Sequence, residues 1–199
     1  RLINKLLGLE RSGRKKKRQT SKDLANLDTV LVDMHSHLLP GIDDGVESYD
    51  EAIEVIKEMV YTGYRKIITT PHIMSDGYPN KSKDILDKFQ ILKKCVNESE
   101  IDVDLGVAAE YYVDAHFEEL LEKDDILTIG DDKVLIEFSY LNKPLNYKKI
   151  LIRIFEKGYR PILAHPERYI FLQNEKKGFN ELKGMGVEFQ LNMFSLVGA

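Results

Sequence analysis

"TVLVDMHSHLLPGIDDGVESYDEAIEVIKEMVYTG" (residues 29–63) contains an apolar run, a polar loop and an amphipathic segment, in that order. The run "TVLVDM" (29–34) is almost continuously apolar, as a parallel strand covered on both faces must be. In residues 48–63, Ser48 and Glu51 make a capping-box pattern. Ala52, Ile53, Ile56, Met59 and Val60 recur at helical spacing, and Gly63 closes the segment. Strand then helix is the repeating unit of parallel β/α architecture.

The unit recurs along the chain. Further strand-like runs are "RKIITT" (65–70), "VDLGVAAE" (103–110), "KVLIEF" (133–138), "RPILAH" (160–165) and "VEFQLN" (187–192). Helical patterns fit residues 81–99, 115–123 and 146–157, with a weaker one at 175–184. The spacing predicts an α/β fold with a parallel sheet. No Gly-rich phosphate turn follows any strand, so a Rossmann or P-loop nucleotide site has no support.

Bulk properties agree with one soluble domain. The chain has 199 residues, with 43% hydrophobic and 31% charged, enough to bury a core. No apolar stretch approaches the roughly 20 residues needed to span a bilayer, and no signal peptide is visible. The single cysteine, Cys95, excludes an intramolecular disulfide and suits the reducing cytoplasm. Charge is uneven. Residues 1–22 hold nine lysines and arginines against Glu10 alone, whereas the whole chain carries −4. Residues 1–28 therefore read as a basic, disordered arm before an acidic domain at 29–199. The arm could touch anionic lipid or a membrane-bound partner. A nucleic-acid partner is not expected, because the acidic remainder offers no surface to extend the arm.

The unusual polar residues fall in one place on this frame. His35 and His37 end the first strand, with Asp44 in the loop after it. His72 follows the second strand, Glu110 ends the third, Glu137 lies near the end of the fourth, and His165 ends the fifth. In a β/α barrel the carboxyl ends of the strands ring a single mouth where active sites assemble. A lone histidine at a strand end is ordinarily a hydrogen-bonded structural residue. The H-x-H pair differs, because residues two apart on an extended chain share a face and can reach one ion. With the recurrence strand after strand, the set reads as metal ligands, more of them than one zinc needs, so two or three divalent ions are expected. Asp33, two residues before His35, is expected to orient a ligand from behind. His116, inside the 115–123 helix, reads as a surface residue.

In order and spacing, "DMHSHLLPGIDDG" (33–45), "TTPHIM" (69–74), "AAEYY" (108–112), "LIEFSY" (135–140) and "AHPERY" (164–169) resemble the PHP (polymerase and histidinol phosphatase) metallohydrolases. The resemblance is closest to the bacterial protein-tyrosine phosphatases of capsular and exopolysaccharide synthesis. It implies a distorted seven-stranded β/α (TIM-like) barrel holding up to three metals, usually Mn2+. It also implies His35, His37, Asp44, His72, Glu110 and His165 as metal ligands, Glu137 as an acid lining the site, and Arg168 as the arginine that grips phosphate. The family's last strand carries an Asp-x-His pair and then a second arginine. This chain ends at "NMFSLVGA" without them and begins with Arg, so a piece truncated after about six strands is expected.

The implied chemistry is hydrolysis of a phosphate monoester by water activated between metal ions, with Arg168 forked onto two phosphate oxygens and Glu137 able to assist the leaving group. The implied substrate is a phosphotyrosine-bearing protein, a membrane-associated tyrosine kinase controlling polysaccharide export. A cysteine phosphatase needs an arginine six places after its cysteine, and Ile101 stands there. A serine hydrolase lacks its GxSxG elbow. The rivals are histidinol-phosphate hydrolysis on the same fold and, from another class, a non-catalytic metal-binding module.

Overall fold

Strand β1 (Val32–Ser36) and helix α1 (Tyr49–Tyr61) form the first β/α unit. Ser48 caps α1 by accepting the Glu51 N–H at 3.1 Å, and Glu51 accepts the Glu47 N–H in turn, which satisfies donors the helix cannot. Gly63, at φ 116°, ends the segment in a conformation that favours glycine. The computed structural model describes residues 30–173 and 176–196; the basic arm at 1–28 lies outside them.

The remaining elements alternate as expected. They run β2 (Lys66–Thr69), β3 (His72–Ile73), α2 (Ser82–Glu98), β4 (Asp104–Val107), β5 (Glu110–Tyr112), α3 (Ala115–Glu122), β6 (Lys133–Glu137) and α4 (Tyr147–Glu156). Then come β7 (Arg160–Ala164), a 3-10 turn (Pro166–Arg168), α5 (Lys176–Gly184), β8 (Glu188–Gln190) and α6 (Met193–Leu196). Each strand–helix phrase of the sequence is present, but the second and third strands are each broken in two. The breaks lie at Thr70–Pro71 and Ala108–Ala109, beside a proline that has no N–H to give a ladder. Backbone bonds cross the breaks, Ala108 N–H to Thr69 O and Glu110 N–H to Pro71 O, both 3.0 Å.

All pairings between these strands are parallel, in the orders β1-β2-β4 and β3-β5-β6-β7-β8. Because β2 runs into β3 and β4 into β5, spatial order follows chain order from β1 to β8. No ladder joins β8 back to β1 among the described residues, so they contain no closed barrel.

Successive strand residues serve opposite faces. Ile67, Val134, Ile136 and Leu163 belong to the large core shared with the helices; Ile68, Leu135, Ile162 and Ala164 form a smaller cluster with Ala108 and Met34. Two residues beyond Ala108 and Leu135, on that second face, stand Glu110 and Glu137. The apolar layer gives way to the polar site there. No helix among the described residues is long and apolar enough to cross a membrane.

Candidate metal centre

Glu110 is the hub of the cluster at the carboxyl ends of the strands. It is fully buried at the start of β5, and its two carboxylate oxygens divide their partners. Oε1 meets His165 Nε2 at 2.9 Å, and Oε2 meets His35 Nε2 at 2.9 Å and the nearer ring nitrogens of His37 and His72 at 3.4 Å. Glu137, at the end of β6 and 6% exposed, completes the inner ring. It stands 3.5 Å from His165 Nε2 and 3.7 Å from His72 Nδ1. Asp44 approaches His72 Nε2 to 3.6 Å from the exposed loop after β1.

Local structure aims each group. The register between β1 and β2 slips between Asp33 and Ser36, a bulge that re-aims side chains at a strand end. After β1 the chain folds tightly back. Val46 N–H donates to His37 O, and a Cβ on Gly45 would lie 2.2 Å from that oxygen, so only glycine permits the approach. His165 has φ 31°, the left-handed region that histidine tolerates better than most residues. Its N–H donates to Gln190 Oε1 and its carbonyl accepts from Arg168 N–H, which hold the turn that faces its ring to Glu110.

Two positioning groups escaped the sequence reading. Asp43 Oδ2 lies 2.7 Å from His37 Nδ1 and accepts the His72 N–H at 3.0 Å, so it aligns two histidines from behind, while its neighbour Asp44 reaches the His72 ring from the exposed side. Gln190 Oε1 lies 2.8 Å from His35 Nδ1. The orienting role expected of Asp33 therefore belongs to Asp43 and Gln190. Asp33 makes no side-chain bond to either imidazole, and its buried Oδ2 has no hydrogen-bond partner among the described residues. "IDDG" signalled an acid pair without saying which acid braced the histidines; nothing in "VEFQLN" signalled Gln190.

The electrostatics are those of a cation site. Burial opposes charge on Glu110, but hydrogen bonds from His165, His35 and His37 outweigh it and hold its carboxyl well below the usual range. Burial likewise opposes charge on His37, yet Asp43 and Glu110 push it up to about 10. His35 moves upward beside Glu110 despite burial. Burial, with the neighbouring Glu110 charge, raises Glu137.

The donor set fits divalent cations. His35 Nε2 and His37 Nε2 face each other at 3.4 Å, and Nδ1 of His72 and of His165 are buried without a hydrogen-bond partner among the described residues. Three overlapping groups each bring donor atoms within 4.8 Å of one another: His35–Glu110–His165, His37–Asp44–His72 and His72–Glu110–Glu137. Every expected ligand and Glu137 thus stand together in the structure. Arg168 stands at the rim, exposed, donating to the Tyr140 hydroxyl at 3.4 Å. It does not pair with Glu167, which instead accepts from Asn192 N–H and Ser195 Oγ. Outside the cluster, His116 sits on α3 near Glu119, and Cys95 on α2 packs partly buried against the core.

The family model described as "Capsular polysaccharide synthesis, CpsB/CapC" matches residues 31–199. A protein named tyrosine-protein phosphatase CpsB, from Streptococcus pneumoniae, is 32% identical over 82% of this chain and 68% of its own length. One named tyrosine-protein phosphatase YwqE, from Bacillus subtilis, is 30% identical over 84% of this chain and 66% of its own. The chain thus spans about two thirds of the length of these relatives. A solved structure from work on YwqE of Bacillus subtilis and CpsB of Streptococcus pneumoniae, there called metal-dependent tyrosine phosphatases, superposes with a TM-score of 0.78. It is 29% identical and covers 84% of this chain and 68% of that one.

Proposed function

The chain belongs to the CpsB/CapC family of capsular polysaccharide synthesis, and from that premise we propose that it hydrolyses phosphotyrosine in proteins with the help of divalent metal ions. The observation that carries the reading is the convergence of four histidines and three carboxylates from the ends of successive parallel strands. His35, His37, Asp44, His72, Glu110 and His165 hold two or three ions, Mn2+ by preference. Residues 29–199 are one metallophosphatase domain whose six strands curve as the wall of a PHP-type β/α barrel. It works in the cytoplasm on a membrane-associated tyrosine kinase.

Bound there, divalent ions supply Lewis acidity, neutralising phosphoryl charge and lowering the pKa of water so that hydroxide is available near neutral pH. The chain's own groups do the rest. Arg168 offers a planar fork to two equatorial phosphate oxygens, whose charge grows in the transition state. The P–O bond to the phenol breaks as oxygen from water bonds to phosphorus, releasing inorganic phosphate and tyrosine. A phenolate, with a pKa of about 10, needs little help to leave. Glu137, buried beside the cluster, is placed to hand the ester oxygen a proton.

Metal-dependent turnover tests the reading. The protein should cleave a phosphotyrosyl peptide, lose that activity on exhaustive chelation, and regain it with Mn2+. Undiminished turnover after EDTA would overturn the metal mechanism. A clear preference for histidinol phosphate over the peptide would move the substrate to the small-molecule rival.

A further inference from the structure

Over the ends of β3, β5 and β6 the mouth opens into a cavity of about 500 Å3. His72 and Glu137 of the cluster line it, with Met74, Tyr112, Tyr140 and Leu141 among its walls. Small-molecule sites typically occupy about 300–1,000 Å3. An apolar cavity of about 150 Å3 already accepts benzene. This one has room for a ring and for the main chain beside it.

Charge decides which end of a phosphoester enters. Among the described residues the lining includes Asp76, Asp114 and Glu137 but no lysine or arginine, so these walls offer a phosphate no countercharge. The phosphate belongs at the cluster, beside Arg168, which reaches Tyr140 but does not line the cavity. The organic group of the ester is then left to the cavity. Its rim offers uncovered apolar surface: Tyr140 is 43% exposed and Leu141 64%. The Tyr140 ring is already oriented, edge-on to His165 at 5.7 Å and tilted against Tyr169 at 6.0 Å, so it need not be ordered by a ligand.

We infer that this cavity is the subsite for the phenyl ring of the phosphoester, and that Tyr140 and Leu141 select aryl over alkyl phosphate. The inference rests on the phosphotyrosine reading above and adds the residues that recognise the ring. A planar ring is held between aromatic and aliphatic walls; a short alkyl chain would leave most of that surface wet.

Phenylphosphonate and methylphosphonate share a charged headgroup and resist hydrolysis, so they compare the ring alone. Each is measured by calorimetry on the Mn2+-loaded protein and as a competitive inhibitor of p-nitrophenyl phosphate turnover. Phenylphosphonate should bind at least tenfold more tightly. Tyr140→Ala and Leu141→Ser should each shrink that ratio toward one and leave methylphosphonate affinity unchanged. Tyr140→Phe, which keeps the ring and drops the hydroxyl that meets Arg168, should preserve the ratio. Leu141 is exposed enough for its variant to decide the matter if Tyr140→Ala fails to fold. Equal affinity of the wild-type protein for the two phosphonates overturns the subsite. So does a parallel loss of both in Tyr140→Ala, which would mean that Tyr140 acts through Arg168. A protein that neither cleaves p-nitrophenyl phosphate nor binds either phosphonate overturns the phosphatase reading instead.

Discussion

Arg168 shows how little a residue's exposure says about its work. It is exposed on a 3-10 turn, and its one side-chain hydrogen bond among the described residues is a long one to the Tyr140 hydroxyl. A surface ion pair at such a place would be worth only about 0–1 kcal/mol, and the acid next to it, Glu167, turns away to bind Asn192 and Ser195. The guanidinium is therefore free to take a ligand, and it stands three residues past His165 at the rim of the cluster. If it grips phosphate, Arg168→Ala should lower kcat/KM for a phosphotyrosyl peptide by roughly 10²-fold or more, as loss of a donor aimed at developing charge does elsewhere. Metal content should not change. Arg168→Lys should recover only part, because a point charge cannot reproduce the fork. Steady-state kinetics with metal analysis in parallel checks this; wild-type kinetics in Arg168→Ala would return the residue to the surface.

Helix α3 ties the wall of the mouth to the strands through its cap. Asp114 Oδ1 accepts the Phe117 N–H at 2.8 Å, while Oδ2 accepts the Ser75 N–H and hydroxyl at 3.0 and 2.7 Å. One carboxylate thus starts a helix and pins the loop after β3 that bears Met74. Partial burial resists its charge, but the bonds from Ser75 and Phe117 prevail and depress its pKa. A depressed carboxylate contributes stability above its unfolded pKa of about 3.9 and loses it as pH falls through the lower folded value. Asp114→Ala should cost about 0.5–2 kcal/mol near neutrality. The gap to wild type should narrow below about pH 4, measured by urea unfolding across pH. A gap independent of pH would show that something other than the ionised cap is lost. Helix starts of this kind are readable in a sequence, since cap and periodicity are local: Ser48 with Glu51 marked α1 to within a residue. The breaks in the second and third strands are not, because Pro71 and the Ala108–Ala109 step interrupt pairing only where a particular neighbour lies alongside.

Across the whole molecule the same division holds between local and distant information. His35, His37, His72, Glu110, Glu137 and His165 were readable as a set because each sits at or near the end of a recognisable strand, and parallel strands carry such ends to one side. Gln190 was not, because its meaning depends on His35, 155 residues away in sequence. That contact joins the two outer strands, β1 and β8, which share no ladder. Gln190 Nε2 donates to Leu191 O and Asn192 Oδ1, which turns its carbonyl oxygen toward His35 Nδ1 and the His165 N–H. A carbonyl can only accept, so His35 must donate from Nδ1, and when a cation displaces the proton that Nε2 shares with Glu110, Nε2 is the nitrogen left to bind it. Histidines that bind metal commonly have such a partner, and its loss typically costs 10–100-fold in affinity or activity. Gln190→Leu, similar in size and unable to accept, should weaken Mn2+ binding by that factor while the circular dichroism of the fold is unchanged. Equilibrium dialysis against Mn2+ measures the first quantity directly. A Gln190→Leu protein that binds Mn2+ as tightly as wild type would show that the contact only braces β8 against β1 and leaves the orientation of His35 to Glu110.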